Sequence, residues 1–194
     1  MLKVVERTAR LMAVIGGIVL VALILLTCLS ILGRSLNTLG HSSALRAISE
    51  GVADLLLGSG VGPVNGDFEL VEAGIAFVIF AFLPVCQLYS AHATVDVFTS
   101  LLSSKTNRYI MAFWEILLGL VILLITWRLF VGMENKMEYG ETTYLIQFPV
   151  WWAYAASFAA AVVASMISFY CALARLAEII SGRHYLPYTE GAVH

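Results

Sequence analysis

The sequence predicts an all-α membrane protein: four transmembrane helices, with an interfacial amphipathic helix between the first and the second. Three observations predict it. Of 194 residues, 60% are hydrophobic and only 12% are charged, with a mean hydropathy of +0.90, too few charges for the surface of a soluble domain of this length. Four apolar runs, about 11–33, 70–89, 109–131 and 150–174, each match the roughly 20 residues needed to cross a hydrocarbon core of about 30 Å. Trp151, Trp152 and Tyr154 open the last run, and such amphipathic rings settle at the headgroup level of a bilayer. There is no internal repeat, and one integral membrane domain accounts for residues 1–194.

The same composition excludes several functions. A net charge of −2 and a pI near 6.1 leave no electrostatic footprint for nucleic acid. Cys28, Cys86 and Cys171 fall inside apolar runs with no C-x-x-C pair, which argues against a disulfide framework or a thiol redox centre. His41, His92, His184 and His194 lie outside the span cores, so haem held between helix histidines is not expected. No catalytic residue, cofactor or metal is expected.

Lys3, Arg7 and Arg10 precede the first run. A secretory signal also starts basic, but its apolar region is only about 7–15 residues, so 11–33 reads as a retained span. Ala9, Ala13 and Gly17 offer it a packing stripe at spacing four. Residues 34–67 are polar and glycine-rich, too long for an ordinary turn. Inside them, Leu45, Ile48, Val52, Leu55 and Leu56 fall on one helical face over about 44–57, with Arg46, Glu50 and Asp54 elsewhere, the pattern of a helix lying in an interface.

Asp67 is a fitting N-cap for the second span, and Glu69 and Glu72 sit near the positive end of its dipole. They compensate that dipole or dock a partner. Pro84 is expected to bend the far end. His92 and Asp96 then lie four apart and can meet on one helical face, without the third group and pocket that catalysis requires. Glu115 falls about 9 Å into the third span. A carboxyl at that depth is costly and must face protein, water or a partner. It is either a hydrogen-bonded packing residue or a proton-coupling site.

In the fourth span Pro149 suits a first helical position, and Arg175, Glu178 and Gly182 form a charged exit. Ala156, Ala160, Ala164 and Ser168 make a small-residue stripe beside Ala153, Ser157, Ala161 and Ser165. Helices in lipid associate by close packing of such residues, so the stripe is an expected partner interface. Four spans put both termini on one side. Lys3, Arg7, Arg10, Lys105, Arg108, Arg175 and Arg183 fall there, against Arg34, Arg46, Arg128 and Lys136 opposite. The positive-inside rule then places both termini in the cytoplasm.

Three stretches carry a family resemblance: Gly66-Asp67-Phe68-Glu69-Leu70-Val71-Glu72, His92-Ala93-Thr94-Val95-Asp96, and Gly140-Glu141-Thr142 through to Pro149-Val150-Trp151-Trp152. In this order, among four spans, the chain resembles the small membrane subunit of tripartite ATP-independent periplasmic (TRAP) transporters, the DctQ-like family. The Arg34–Gly66 connection looks longer than in many members. The resemblance implies a bacterial inner-membrane scaffold rather than an enzyme. Its expected partners are the lipid bilayer, a large sodium-coupled elevator subunit, and a periplasmic binding protein delivering an organic acid. Two other readings stand beside it: a self-sufficient small proton-coupled transporter using Glu115, and a membrane anchor for a redox enzyme.

Overall fold

The computed structural model describes residues 2–89, 104–181 and 186, which form helices α1 (Leu2–Gly40), α2 (Ser43–Ile48), α3 (Glu50–Gly58), α4 (Asp67–Leu88), α5 (Ser104–Tyr139) and α6 (Val150–Ser181). Among the described residues there is no strand, only an isolated bridge between Thr142 and Pro149. Among the described residues four helices, α1, α4, α5 and α6, are long and apolar enough to cross a membrane. His92 and Asp96 lie outside the described residues.

The four long helices stand in a row. α1 packs on α4, α4 on α6, and α6 on α5, while α1 and α6 touch only slightly. A row leaves large faces uncovered, and apolar residues fill them: Leu25, Leu29 and Leu32 on α1, Leu120, Leu124 and Trp127 on α5, Met166 and Phe169 on α6 are all exposed. In water such faces would drive aggregation; in hydrocarbon they are at home.

The α1–α4 seam repeats every seven residues. Ala9, Gly16 and Ser30 are buried, and Leu23, between them in register, fills the space beside Gly74. Seven-residue spacing is the seam of two helices crossing at a shallow angle. Here the structure corrects the expected stripe of Ala9, Ala13 and Gly17. A Cβ on Gly17 would meet nothing within 4 Å, whereas one on Gly16 would stand 2.8 Å from the Ala81 Cβ. Spacing four drifts off the contact line over several turns; spacing seven follows it.

α6 is the centre of the row. Its buried residues, Ser157, Ala160, Ala161, Ala164, Ile167, Ser168, Cys171, Ala174 and Glu178, recur at three and four, so one face meets α4 and α5 together. The α5 side is lined by a hydroxyl ladder. Thr126 Oγ1 lies 2.8 Å from the Ser165 hydroxyl and 2.8 Å from the Ile122 carbonyl. Gly132 makes room for the Tyr154 ring, whose edge would stand 2.8 Å from a Cβ there.

Several boundaries differ from expectation. α1 runs on through Arg34 to Gly40, because 34–39 contain no proline or glycine to stop it. The connecting loop crosses it at Gly33, where a Cβ would sit 2.1 Å from the Gly62 carbonyl oxygen. The single amphipathic helix over 44–57 is two, α2 and α3. Ser49 is extended (φ −161°, ψ 104°) and its side chain accepts from the Val52 amide, starting α3 afresh; a serine that bonds locally competes with helix continuation. Gly66, in the left-handed region (φ 75°), is the N-cap of α4, not Asp67. Asp67 instead accepts from the next amide, that of Phe68, at 2.8 Å. α4 continues past Pro84 to Leu88, α5 begins before Tyr109 and ends past Val131, and α6 extends past Ala174. Pro149 lies one residue before α6 rather than at its first position.

Candidate functional site

Besides the Thr126–Ser165 contact within the bundle, a group of polar contacts lies toward each of its ends. At the end carrying the 140–149 loop, Glu69 projects from the first turn of α4. Its two carboxylate oxygens accept from the backbone amides of Leu145 (2.6 Å) and Ile146 (3.0 Å). The loop is closed on itself: the Val150 amide donates to the Glu141 carbonyl at 3.0 Å, and the Thr143 amide to the Phe148 carbonyl at 2.9 Å. Glu141 also pairs with Lys136. Gln147 takes a left-handed conformation (φ 57°) that a non-glycine residue adopts at a cost of about 1 kcal/mol or more. The Thr142 hydroxyl, donating to its side-chain oxygen at 3.2 Å, supports that turn. Ile146 then seats against Gly66, where any Cβ would clash with its side chain at 2.2 Å. Two of the three resemblance stretches therefore meet as one lock, a carboxylate on α4 gripping the loop before α6.

At the other end, the buried Gln87 of α4 donates to Glu115 of α5 at 2.7 Å. Arg175 of α6 lies within electrostatic reach of Glu115 and pairs with the buried Glu178 at 3.0 Å. Glu178 also accepts from the Leu186 amide at 3.1 Å. On the α1 side, the Tyr89 hydroxyl donates to Glu6 and receives from Arg10. These contacts join α4 to α5 through Gln87 and Glu115 and the end of α4 to α1 through Tyr89.

The residues singled out from the sequence are thus placed as follows. Glu69 is engaged inside the chain, and Glu72 stays exposed. Ala160, Ala164 and Ser168 are within 1% of full burial, covered by the chain's own helices, while Ala156 is exposed. The stripe does press helices together, and for Ala160, Ala164 and Ser168 they are helices of the same molecule. Trp152 is exposed with Phe148 and Trp151 stacked edge-on against it at ring-centre distances of 5.6 and 5.9 Å; Trp151 and Tyr154 are half-buried. Glu115 is buried with a protein partner. Gln87 was not foreseen, since a lone glutamine near a helix end gives no signal until its partner is known. No group of three or more His, Cys, Asp or Glu able to hold a metal is found among the described residues.

Residues 23–179, or 157 of 194, match the family of tripartite ATP-independent periplasmic transporters, DctQ component. The chain belongs to the DctQ family. No curated protein and no solved structure is similar enough to match. The matched region takes in the second half of α1, all of α4 and α5, the 140–149 loop and nearly all of α6, so Glu69 with its loop, Gln87, Glu115, Arg175 and Glu178 lie within it while Glu6 and Arg10 precede it. This DctQ chain is a small membrane subunit of a TRAP transporter, a transporter component, with four helices suited to a multi-pass place in the membrane.

Proposed function

We propose that this DctQ subunit is a static frame for a large membrane subunit that carries an organic acid with sodium, supplied by a periplasmic binding protein. The observation that supports it best is where the polar groups lie. A carrier brings several polar groups together near the bilayer midplane, at broken helices or repeat interfaces. Here the buried polar side chains Ser30, Gln87, Glu115, Thr126, Ser157, Ser168 and Glu178 are spread along unbroken helices, and Gln87 with Glu115 and Thr126 with Ser165 fasten one helix to another. A frame needs stiffness and area. The row supplies both, with apolar faces on α1 and α5 open to a partner or to lipid.

In this reading both termini are cytoplasmic, by the basic-residue bias described above. The 140–149 loop and the α2–α3 segment face the periplasm. Ile48 and Leu55 stay 83% and 75% exposed, so α2 and α3 lay that face on the membrane surface while Glu50 and Asp54 stay wet. The frame reading is tested by co-expressing the chain with its large subunit and purifying through a tag on either. Co-purification in a fixed ratio is expected. A chain that purifies alone and takes up substrate alone would instead favour the self-sufficient transporter.

A further inference from the structure

A cleft of about 230 Å³ opens between α1 and α4 at the loop end, lined by Thr27, Ile31, Arg34, Asp67, Phe68 and Val71. Its charged groups are confined to the rim. Arg34 is the first charge after the uncharged run from Leu11, which puts it at the edge of the hydrocarbon, at the depth of lipid phosphates. Its guanidinium Nη2 stands 4.0 Å from Asp67 Oδ2, with 67% of the Arg34 side chain and 21% of the Asp67 side chain exposed. That distance is an ion pair without a hydrogen bond, and Asp67 Oδ1 already accepts from the Phe68 amide, so Oδ2 and the exposed guanidinium are the groups turned to a ligand above the pair. Below the rim, Ile31 lies one turn deeper on α1 and Val71 one turn deeper on α4. The Thr27 hydroxyl is already bonded to the Leu23 carbonyl at 2.8 Å, so the floor offers no unmet polar group. Phe68, 74% exposed, walls the rim.

From this geometry we infer a binding site for phosphatidylethanolamine, a phospholipid with a primary-amine headgroup. Its phosphate pairs with Arg34, its ammonium lies against Asp67, and one acyl chain descends along Ile31, Thr27 and Val71. Charge complementarity selects the occupant. The rim carries one cation and one anion side by side, with no net charge, which suits a zwitterion whose two charges are separated by a short ethylene link. An anionic headgroup would satisfy Arg34 but face Asp67. A choline headgroup has no N–H to donate. Hydrogen bonds between ionised groups are about twice as strong as neutral ones, so the amine and the phosphate should each contribute. The inference rests only on α1 and α4 crossing a bilayer, and is independent of the frame reading.

The test is native mass spectrometry of the full chain in detergent, with equimolar phosphatidylethanolamine, phosphatidylglycerol and phosphatidylcholine bearing the same tails. Phosphatidylethanolamine should be retained about tenfold over the others, a difference of about 1.4 kcal/mol. Arg34→Gln and Asp67→Asn should each bring it down to their level, while Arg128→Gln, on exposed surface of α5, leaves the preference intact. Val71→Phe keeps both charges, fills the cleft, and should lower retention as well. Equal retention of the three lipids by the unaltered chain, or a preference for phosphatidylglycerol, would overturn the site. So would undiminished phosphatidylethanolamine retention in Val71→Phe, a result that does not depend on Arg34→Gln folding.

Discussion

At the scale of single residues, buried polar groups decide most. Glu115 is tolerated in a membrane helix because Gln87 donates to it. Glu115→Gln keeps an acceptor of the same shape and should leave folding and complex-dependent uptake close to normal. Gln87→Leu removes the donor and leaves the carboxyl unmet, a loss of about 1–3 kcal/mol that thermal unfolding in detergent should register. The Ser157 and Ser168 hydroxyls have no hydrogen-bond partner among the described residues. Ser168→Ala removes a group whose burial is uncompensated, so it should be neutral or raise stability by up to about 1 kcal/mol; a clear loss would mean that the hydroxyl has a partner. The cost of Glu115 was legible in the sequence because depth in the span follows from counting. Its donor was not, because it comes from another helix and depends on register between the two.

At the scale of helices, the small-residue stripe of α6 was legible and its target was not. Spacing names the face that packs closely, but a chain's own helices compete with a partner's for that face. Ala160→Leu and Ala164→Leu should therefore destabilise the isolated chain, by about 1–3 kcal/mol for overpacking. Loss of assembly with an intact monomer would contradict that. The apolar pattern over 44–57 marks helix, yet Ser49 splits it into α2 and α3. Spin labels along 43–58 should show oxygen access peaking at Ile48, Val52 and Leu55 and a break in the 3.6-residue periodicity at Ser49. A flat profile would contradict both helices. Helix ends were the least legible feature, since nothing in 34–39 marks where hydrocarbon stops and helix does not.

At the scale of the whole molecule, four spans, the family and the two polar ends form one arrangement: helices in a row, fastened at both ends. The proposed orientation rests on the distribution of lysine and arginine. Single cysteines at Ser59 and Ser104, in a background lacking Cys28, Cys86 and Cys171, should label from opposite sides of the membrane. Labelling of both by an impermeant reagent outside intact cells would contradict that topology. Glu69→Ala should free the 140–149 loop and speed amide exchange at Leu145 and Ile146 without unfolding the four helices. The central claim, that the chain frames transport without performing it, is tested most directly by uptake into liposomes under a sodium gradient, with liganded binding protein supplied. The chain alone should take up nothing, the large subunit alone little, and the two together fully. Substantial uptake by this chain alone, or full uptake by the large subunit without it, would contradict the account.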